Sequence, residues 1–257
     1  GSAGFVFTVG GLGALFDLIS LDALPIIILA SMVAAFVAIL LVPDASAINK
    51  KETVRPFHWR RLLGGATLCF FAINFLLQLS LGPYYTYFSL YLKGYGYSSM
   101  AIGVFWSLGV VAEVGLFLIM HHWFKRHTLA VIASISLMLT AVRWFAVGLW
   151  PEQAQVLIVV QCLHAFTFAS MHALSVEFVR SNFESNEQSH VMALYSGAVF
   201  GGGGAIGALA SGYLWLWSAQ WMFVFAGFVC VFAALIAFLG LNGHVQSGIS
   251  SRKVDLA

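Results

Sequence analysis

The sequence predicts an all-α integral membrane protein, and three observations carry that reading. Hydrophobic residues make up 61% and charged residues 9% of the chain, with a mean hydropathy of +0.92, whereas a soluble domain carries roughly 25% charged residues. Apolar runs of about 18 to 24 residues recur along it, each long enough to cross a hydrocarbon core about 30 Å thick as a helix. The short alternating segments of a membrane barrel are missing, and backbone in lipid must satisfy its own hydrogen bonds. The runs lie near 1–19, 25–42, 62–82, 100–120, 128–149, 154–176, 191–214 and 220–241, which predicts eight transmembrane helices.

Charge placement orients them. Of the twelve Lys and Arg residues, Lys50, Lys51, Arg55, Arg60, Arg61, Lys125, Arg126, Arg180, Arg252 and Lys253 fall in alternate loops on one side. Lys93 is on the other side and Arg143 lies inside a run. The positive-inside rule makes the first side cytoplasmic and puts both chain ends there, in a cell inner (plasma) membrane. Cys69, Cys162 and Cys230 fall in separate apolar runs, where Cys acts as a small hydrophobe, so no disulfide is expected.

The chain opens into its first apolar run after Gly1-Ser2, with no Met, and reads as N-terminally truncated; Gly1-Ser2 is alternatively a cloning scar. Residues 1–42 would be the last two helices of an incomplete first lobe. Residues 43–58, with Pro43 and Pro56 near the ends, form a cytoplasmic linker. Residues 59–242 then make a six-helix second lobe, the size of half a two-lobed transporter, and 243–257 a cytoplasmic tail.

Within that lobe, Gly82-Pro83 should break or bend the third span, and interrupted helices border binding sites in transporters. Gln78 and Ser80, just before the break, are candidate polar contacts. The aromatic stretch Tyr84–Tyr97 that follows suits an interfacial belt or substrate contact equally well. The fourth span places Glu113, and the fifth Arg143, roughly 10 Å or more from the nearer helix end. Such depth is costly for a charge, so the two should meet each other, as a functional pair or as an ion pair that only fixes packing.

The sixth span carries His164, Thr167, Met171 and Ser175 on one face at 100° per residue, with His172 at its edge and Glu177 pointing elsewhere. A buried His is commonly a satisfied core residue, but His164 beside a Glu and an Arg can change charge near neutral pH. In the seventh span, Gly202 to Gly207 has dinucleotide-loop spacing without the preceding strand that reading needs. Gly197-xxx-Gly201 and Gly203-xxx-Gly207 instead suit close helix approach. His121, His122 and His127 lack metal-ligand spacing, so no metal, cofactor or catalytic residue is expected. No basic nucleic-acid patch and no P-loop lysine occur.

Residues 84–240 resemble the second lobe of major facilitator superfamily transporters, and specifically the 3-phenylpropionic acid transporter family. The residues that carry this are Tyr84 to Tyr97, Ile102-Gly103, Trp106-Ser107-Leu108-Gly109-Val110-Val111-Ala112-Glu113-Val114, Val142-Arg143-Trp144, Gln161-Cys162-Leu163-His164, Thr167-Phe168, His172 and Tyr195-Ser196. Gly1 to Phe5 resembles the start of that family's fifth helix, which implies helices five to twelve of a twelve-helix fold. A more distant similarity is to the lactose permease family, whose proton-coupling Glu, Arg and His are matched in type and order by Glu113, Arg143 and His164. That family's second Glu is matched by Thr167, which cannot carry a proton.

The resemblance implies a secondary active transporter working by alternating access, taking up a small organic solute such as 3-phenylpropionate or a related aromatic carboxylate with protons. Glu113 and His164 would then carry the proton, while Arg143, with Gln78, Thr167 and His172, would bind substrate or form the ion pair. The partners expected are a small molecule, protons and the lipid bilayer, with no nucleic acid, and a monomer in full-length form. A nucleoside or sugar proton symporter is the alternative, and a transport-inactive membrane sensor or scaffold the alternative of another class.

Overall fold

The computed structural model describes residues 24–41 and 59–242. The apolar run at 1–19, the linker at 43–58 and the tail at 243–257 lie outside the described residues. All regular structure among the described residues is helical: α1 Leu24–Leu40, α2 Gly65–Ser80, α3 Gly82–Gly94, α4 Ser99–Arg126, α5 Leu129–Leu149, α6 Ala154–Cys162, α7 Met171–Asn182, α8 Ser185–Tyr195, α9 Gly204–Trp217 and α10 Ala219–Asn242. A 3₁₀ turn, Trp59–Leu63, leads into α2, and π-helical turns at Phe166–Ser170 and Ser196–Gly203 precede α7 and α9.

Because α2 runs on into α3, α6 into α7 and α8 into α9, six segments are long and apolar enough to cross a membrane: Gly65–Gly94, Ser99–Arg126, Leu129–Leu149, Ala154–Asn182, Ser185–Trp217 and Ala219–Leu241. A shorter apolar helix, Pro25–Ala38, stands before them. Among the described residues this gives six such spans, where the sequence predicts eight over the whole chain. Polar residues flanking the apolar runs cap several helix N-termini. Ser98 accepts from the Ala101 amide and Thr128 from the Val131 amide, and Glu184 with Glu187 forms a capping box on α8.

The Gly82-Pro83 pair interrupts the helix at Leu81 without stopping the span. Leu81 keeps helical dihedrals of −78° and −13°, and Pro83 sits in the first turn of α3, where a helix needs no amide donor. Gly82 matters for another reason: a Cβ there would lie 2.2 Å from the Gly207 carbonyl carbon, and one on Gly207 would lie 2.5 Å from the Leu79 oxygen. Only glycine lets these two backbones cross so closely. Gly203 likewise faces Phe75 and Gln78, but a Cβ on Gly197 would meet nothing within 4 Å. The first of the two small-residue pairs therefore makes no close approach among the described residues.

Around that crossing, α10 lies along α5 and α2, α9 covers α3, and α4 packs against α6 and the first π turn. The end of the bundle carrying Arg61 is tied by ion pairs from Arg61 to Glu187 at 2.7 Å and Glu184 at 3.1 Å. Hydrogen bonds to Glu184 and then Glu187 push the Arg61 guanidinium above its ordinary range. Inside, Phe70 stacks on Phe178 at 4.3 Å, and Asn74 Oδ1 receives the hydroxyls of Ser175 and Tyr195 at 3.2 and 3.4 Å. Leu118, Leu209, Leu216 and Leu239 are exposed on the outside, the surface expected of helices solvated by lipid.

Candidate polar site within the bundle

Glu113 sits midway along the 28-residue α4, about 20 Å from either end at 1.5 Å per residue. Gly109, one turn earlier on the same face, opens room for a neighbour: a Cβ there would lie 3.2 Å from His164 Cβ. Into that space goes the His164 ring, whose Nε2 stands 3.9 Å from Glu113 Oε2. The contact is an ion pair in reach but longer than a hydrogen bond. His164 Nδ1 is buried without a hydrogen-bond partner.

Arg143 takes a different partner from the one its sequence suggested. Among the described residues no ion pair joins it to Glu113. Its Nη2 donates to Gln161 Oε1 at 3.0 Å, and its Cζ stacks 4.2 Å from the Tyr84 ring centre and 4.3 Å from that of Trp144. The side chain is fully buried, yet Nε and Nη1 have no hydrogen-bond partner. A buried guanidinium with open donors is costly to keep unless an acceptor arrives. Tyr84, against which Arg143 lies, has its ring centre 5.7 Å from that of His164, and it is His164 that faces Glu113.

Tyr84 is therefore the hub. Its ring also meets Trp106 at 4.3 Å and Trp144 at 5.6 Å, and its hydroxyl receives Gln161 Nε2 at 3.0 Å. Within the aromatic stretch Tyr84 packs into the polar cluster, and Tyr85 is half-exposed and stacks on Trp106 at 6.1 Å. Glu113, His164, Tyr84, Arg143 and Gln161 form one contiguous set drawn from α3, α4, α5, α6 and the turn after α6.

The other predicted residues lie elsewhere. Ser80 oxygen receives the Trp144 indole at 3.3 Å and the Cys230 thiol at 3.1 Å, so it fixes Trp144 against Arg143 rather than facing the cluster. Gln78 is buried with its Cβ toward Gly203, and no hydrogen bond joins it to the cluster. Thr167 bonds Thr140 at 3.0 Å and its neighbour Ser170 bonds Ser136 at 2.6 Å, which zips the π turn to α5. His172 stacks on Phe168 at 6.0 Å, and Phe168 on His164 at 6.2 Å. The single polar stripe expected at 100° per residue is thus split three ways, because the π turn at Phe166–Ser170 changes the register within it.

Gln161, Asn74 and Tyr195 are buried hydrogen-bonding residues to which the sequence reading assigned no role, and Ser175, placed there on the His164 face, bonds the last two. The signal was present for the first, since a Gln inside the run Leu157-Ile158-Val159-Val160-Gln161 needs partners in lipid. No group of three or more His, Cys, Asp or Glu residues suited to a metal occurs among the described residues.

Comparison with known proteins fits this architecture. The chain is 31% identical over 226 residues to the "Probable 3-phenylpropionic acid transporter" of Escherichia coli (strain K12), a match covering 87% of this chain. It spans 59% of that relative's length. No solved structure gives a significant match. The family model described as "MFS_1 like family" matches residues 1–225. With membrane-capable helices and a match over most of its length, the chain belongs to the MFS_1-like family of major facilitator transporters, a multi-pass membrane family that is not enzymatic.

Proposed function

We propose that the whole protein is a proton-coupled secondary transporter of the cell inner membrane that takes up a small aromatic carboxylate such as 3-phenylpropionate. The observation that carries this reading is Arg143: fully buried, in cation–π contact with Tyr84 and Trp144, with Nε and Nη1 lacking acceptors. A carboxylate is the ligand a planar guanidinium fork fits best, and flanking rings supply the apolar contact an aromatic acid needs. The relative named for 3-phenylpropionic acid supports the same class.

In this reading Glu113 and His164 hold and pass the proton, while Thr167 is a packing residue in place of a second carboxylate. His172, joined to His164 through Phe168, is the reserve proton carrier, and Gln78 borders the substrate path beside the interruption at Leu81. Residues 59–242 act as one lobe that rocks against another about the central site, with residues 1–42 belonging to the other lobe, 43–58 linking them and 243–257 forming a tail. The linker, the tail and both ends of the chain face the cytoplasm, and the whole protein works as a monomer.

The test is uptake of radiolabelled 3-phenylpropionate, uridine and a disaccharide by the whole protein in proteoliposomes under an imposed pH gradient. Accumulation of the acid alone is expected. Uptake of the nucleoside or sugar in its place would move the protein to another substrate class, and no uptake of any would favour a sensor or scaffold.

A further inference from the structure

Gln161 is a fully buried amide whose two ends are fixed by chemistry. Its Nε2 lies 2.9 Å from the Phe105 carbonyl and 3.0 Å from the Tyr84 hydroxyl, and its Oε1 lies 3.0 Å from Arg143 Nη2. A carbonyl can only accept and a guanidinium can only donate, so the amide cannot be turned round without losing both contacts. Both Nε2 protons are committed, and Tyr84, accepting one of them, keeps its own proton for another acceptor. Gln161 therefore has no donor left for a ligand.

What it gives Arg143 is position without charge. One Nη2 proton is held, while the Nε proton and both Nη1 protons stay open. The Tyr84 and Trp144 rings, 4.2 and 4.3 Å from Cζ, confine the guanidinium, and the bond to Gln161 Oε1 fixes which way its Nη2 end points. A carboxylate at position 161 would hold the same nitrogen but also cancel the positive charge. We propose that Gln161 is a positioning residue that sets anion selectivity: a neutral acceptor that aims the Arg143 guanidinium and leaves its charge for the carboxylate of the substrate. This rests on the reading of Arg143 as the substrate's anion site.

The test is binding of 3-phenylpropionate and of its uncharged amide, 3-phenylpropanamide, to the whole protein in detergent, for wild type, Arg143→Gln, Gln161→Glu and Gln161→Met. Wild type should prefer the acid. Gln161→Glu should weaken acid binding roughly tenfold or more with amide binding kept, so that the preference inverts. Gln161→Met, neutral and of similar size, removes the hold but not the charge, and should weaken the acid while keeping its preference over the amide. A defect of folding would lower both ligands together and leave the ratio alone.

If Arg143→Gln loses the acid but the acid-to-amide ratio of Gln161→Glu stays at the wild-type value, or Gln161→Met inverts it as well, the role given to Gln161 is wrong and the Arg143 site stands. If wild type binds neither ligand, or Arg143→Gln binds the acid as tightly as wild type, the Arg143 site falls and the role of Gln161 falls with it. Should Gln161→Glu fail to yield folded protein, the Gln161→Met ratio decides alone: retained acid preference with weaker binding supports the proposal, and loss of preference overturns it.

Discussion

Glu113 Oε2 faces His164 Nε2 at 3.9 Å while Arg143, the nearest buried cation by sequence, turns to Gln161. Under the proposed function, charge recognition and proton exchange fall to different residues of one cluster. This separation makes the roles independently testable.

Arg143→Lys should weaken 3-phenylpropionate binding roughly tenfold or more, because an ammonium keeps the charge but cannot hold a carboxylate with two parallel bonds or stack as a plane. Thermal unfolding of the detergent-solubilised protein should change far less than the affinity. Equal loss of both would make Arg143 a packing residue.

Gly82→Ala and Gly207→Ala should each destabilise the fold by about 1–3 kcal/mol or more, since the added methyl would meet backbone that cannot step aside. Gly197→Ala, which meets nothing within 4 Å, is the matched control and should be neutral. Comparable losses at all three positions would mean that the crossing is not what is being read, because helix propensity alone favours Ala over Gly.

Much of this was legible in sequence, and the misses have specific causes. Length and apolarity placed the six spans, and depth within them marked Glu113, Arg143 and His164, because a charge in hydrocarbon stands out without any knowledge of neighbours. Which partner each would take was not legible: Arg143 bonds Gln161 and lies over Tyr84 and Trp144, while Glu113 faces His164, and no periodicity reveals such a division. The π turn at Phe166–Ser170 defeats a fixed 100° step, so Thr167 and Ser175, drawn on the face of His164, meet Thr140 on α5 and Asn74 on α2 instead. Gly197-xxx-Gly201 and Gly203-xxx-Gly207 have the same spacing, and only the crossing with α2 and α3 distinguishes them.

The Asn74–Ser175–Tyr195 group joins α2, α7 and α8 through hydrogen bonds of 3.1 to 3.4 Å. Tyr195→Phe and Ser175→Ala should each cost about 0.5–1.5 kcal/mol, the range of hydrogen bonds between membrane helices. The double variant should cost less than the sum, as residues of one network do. Full additivity in denaturant unfolding would show the three side chains to be independent.

In the proposed mechanism Glu113 couples proton movement to substrate movement. The measurement is proton flux into proteoliposomes, read with an internal pH dye, alongside uptake of labelled 3-phenylpropionate by the whole protein and by Glu113→Gln. Wild type should bring protons in with the acid and concentrate it against its gradient. Glu113→Gln should keep exchange of internal for external substrate while losing both proton influx and accumulation, because Gln keeps the size of the side chain and removes its proton site. If Glu113→Gln still concentrates the acid with the wild-type dependence on external pH, Glu113 does not couple transport, and the account of the Glu113–His164 pair is contradicted.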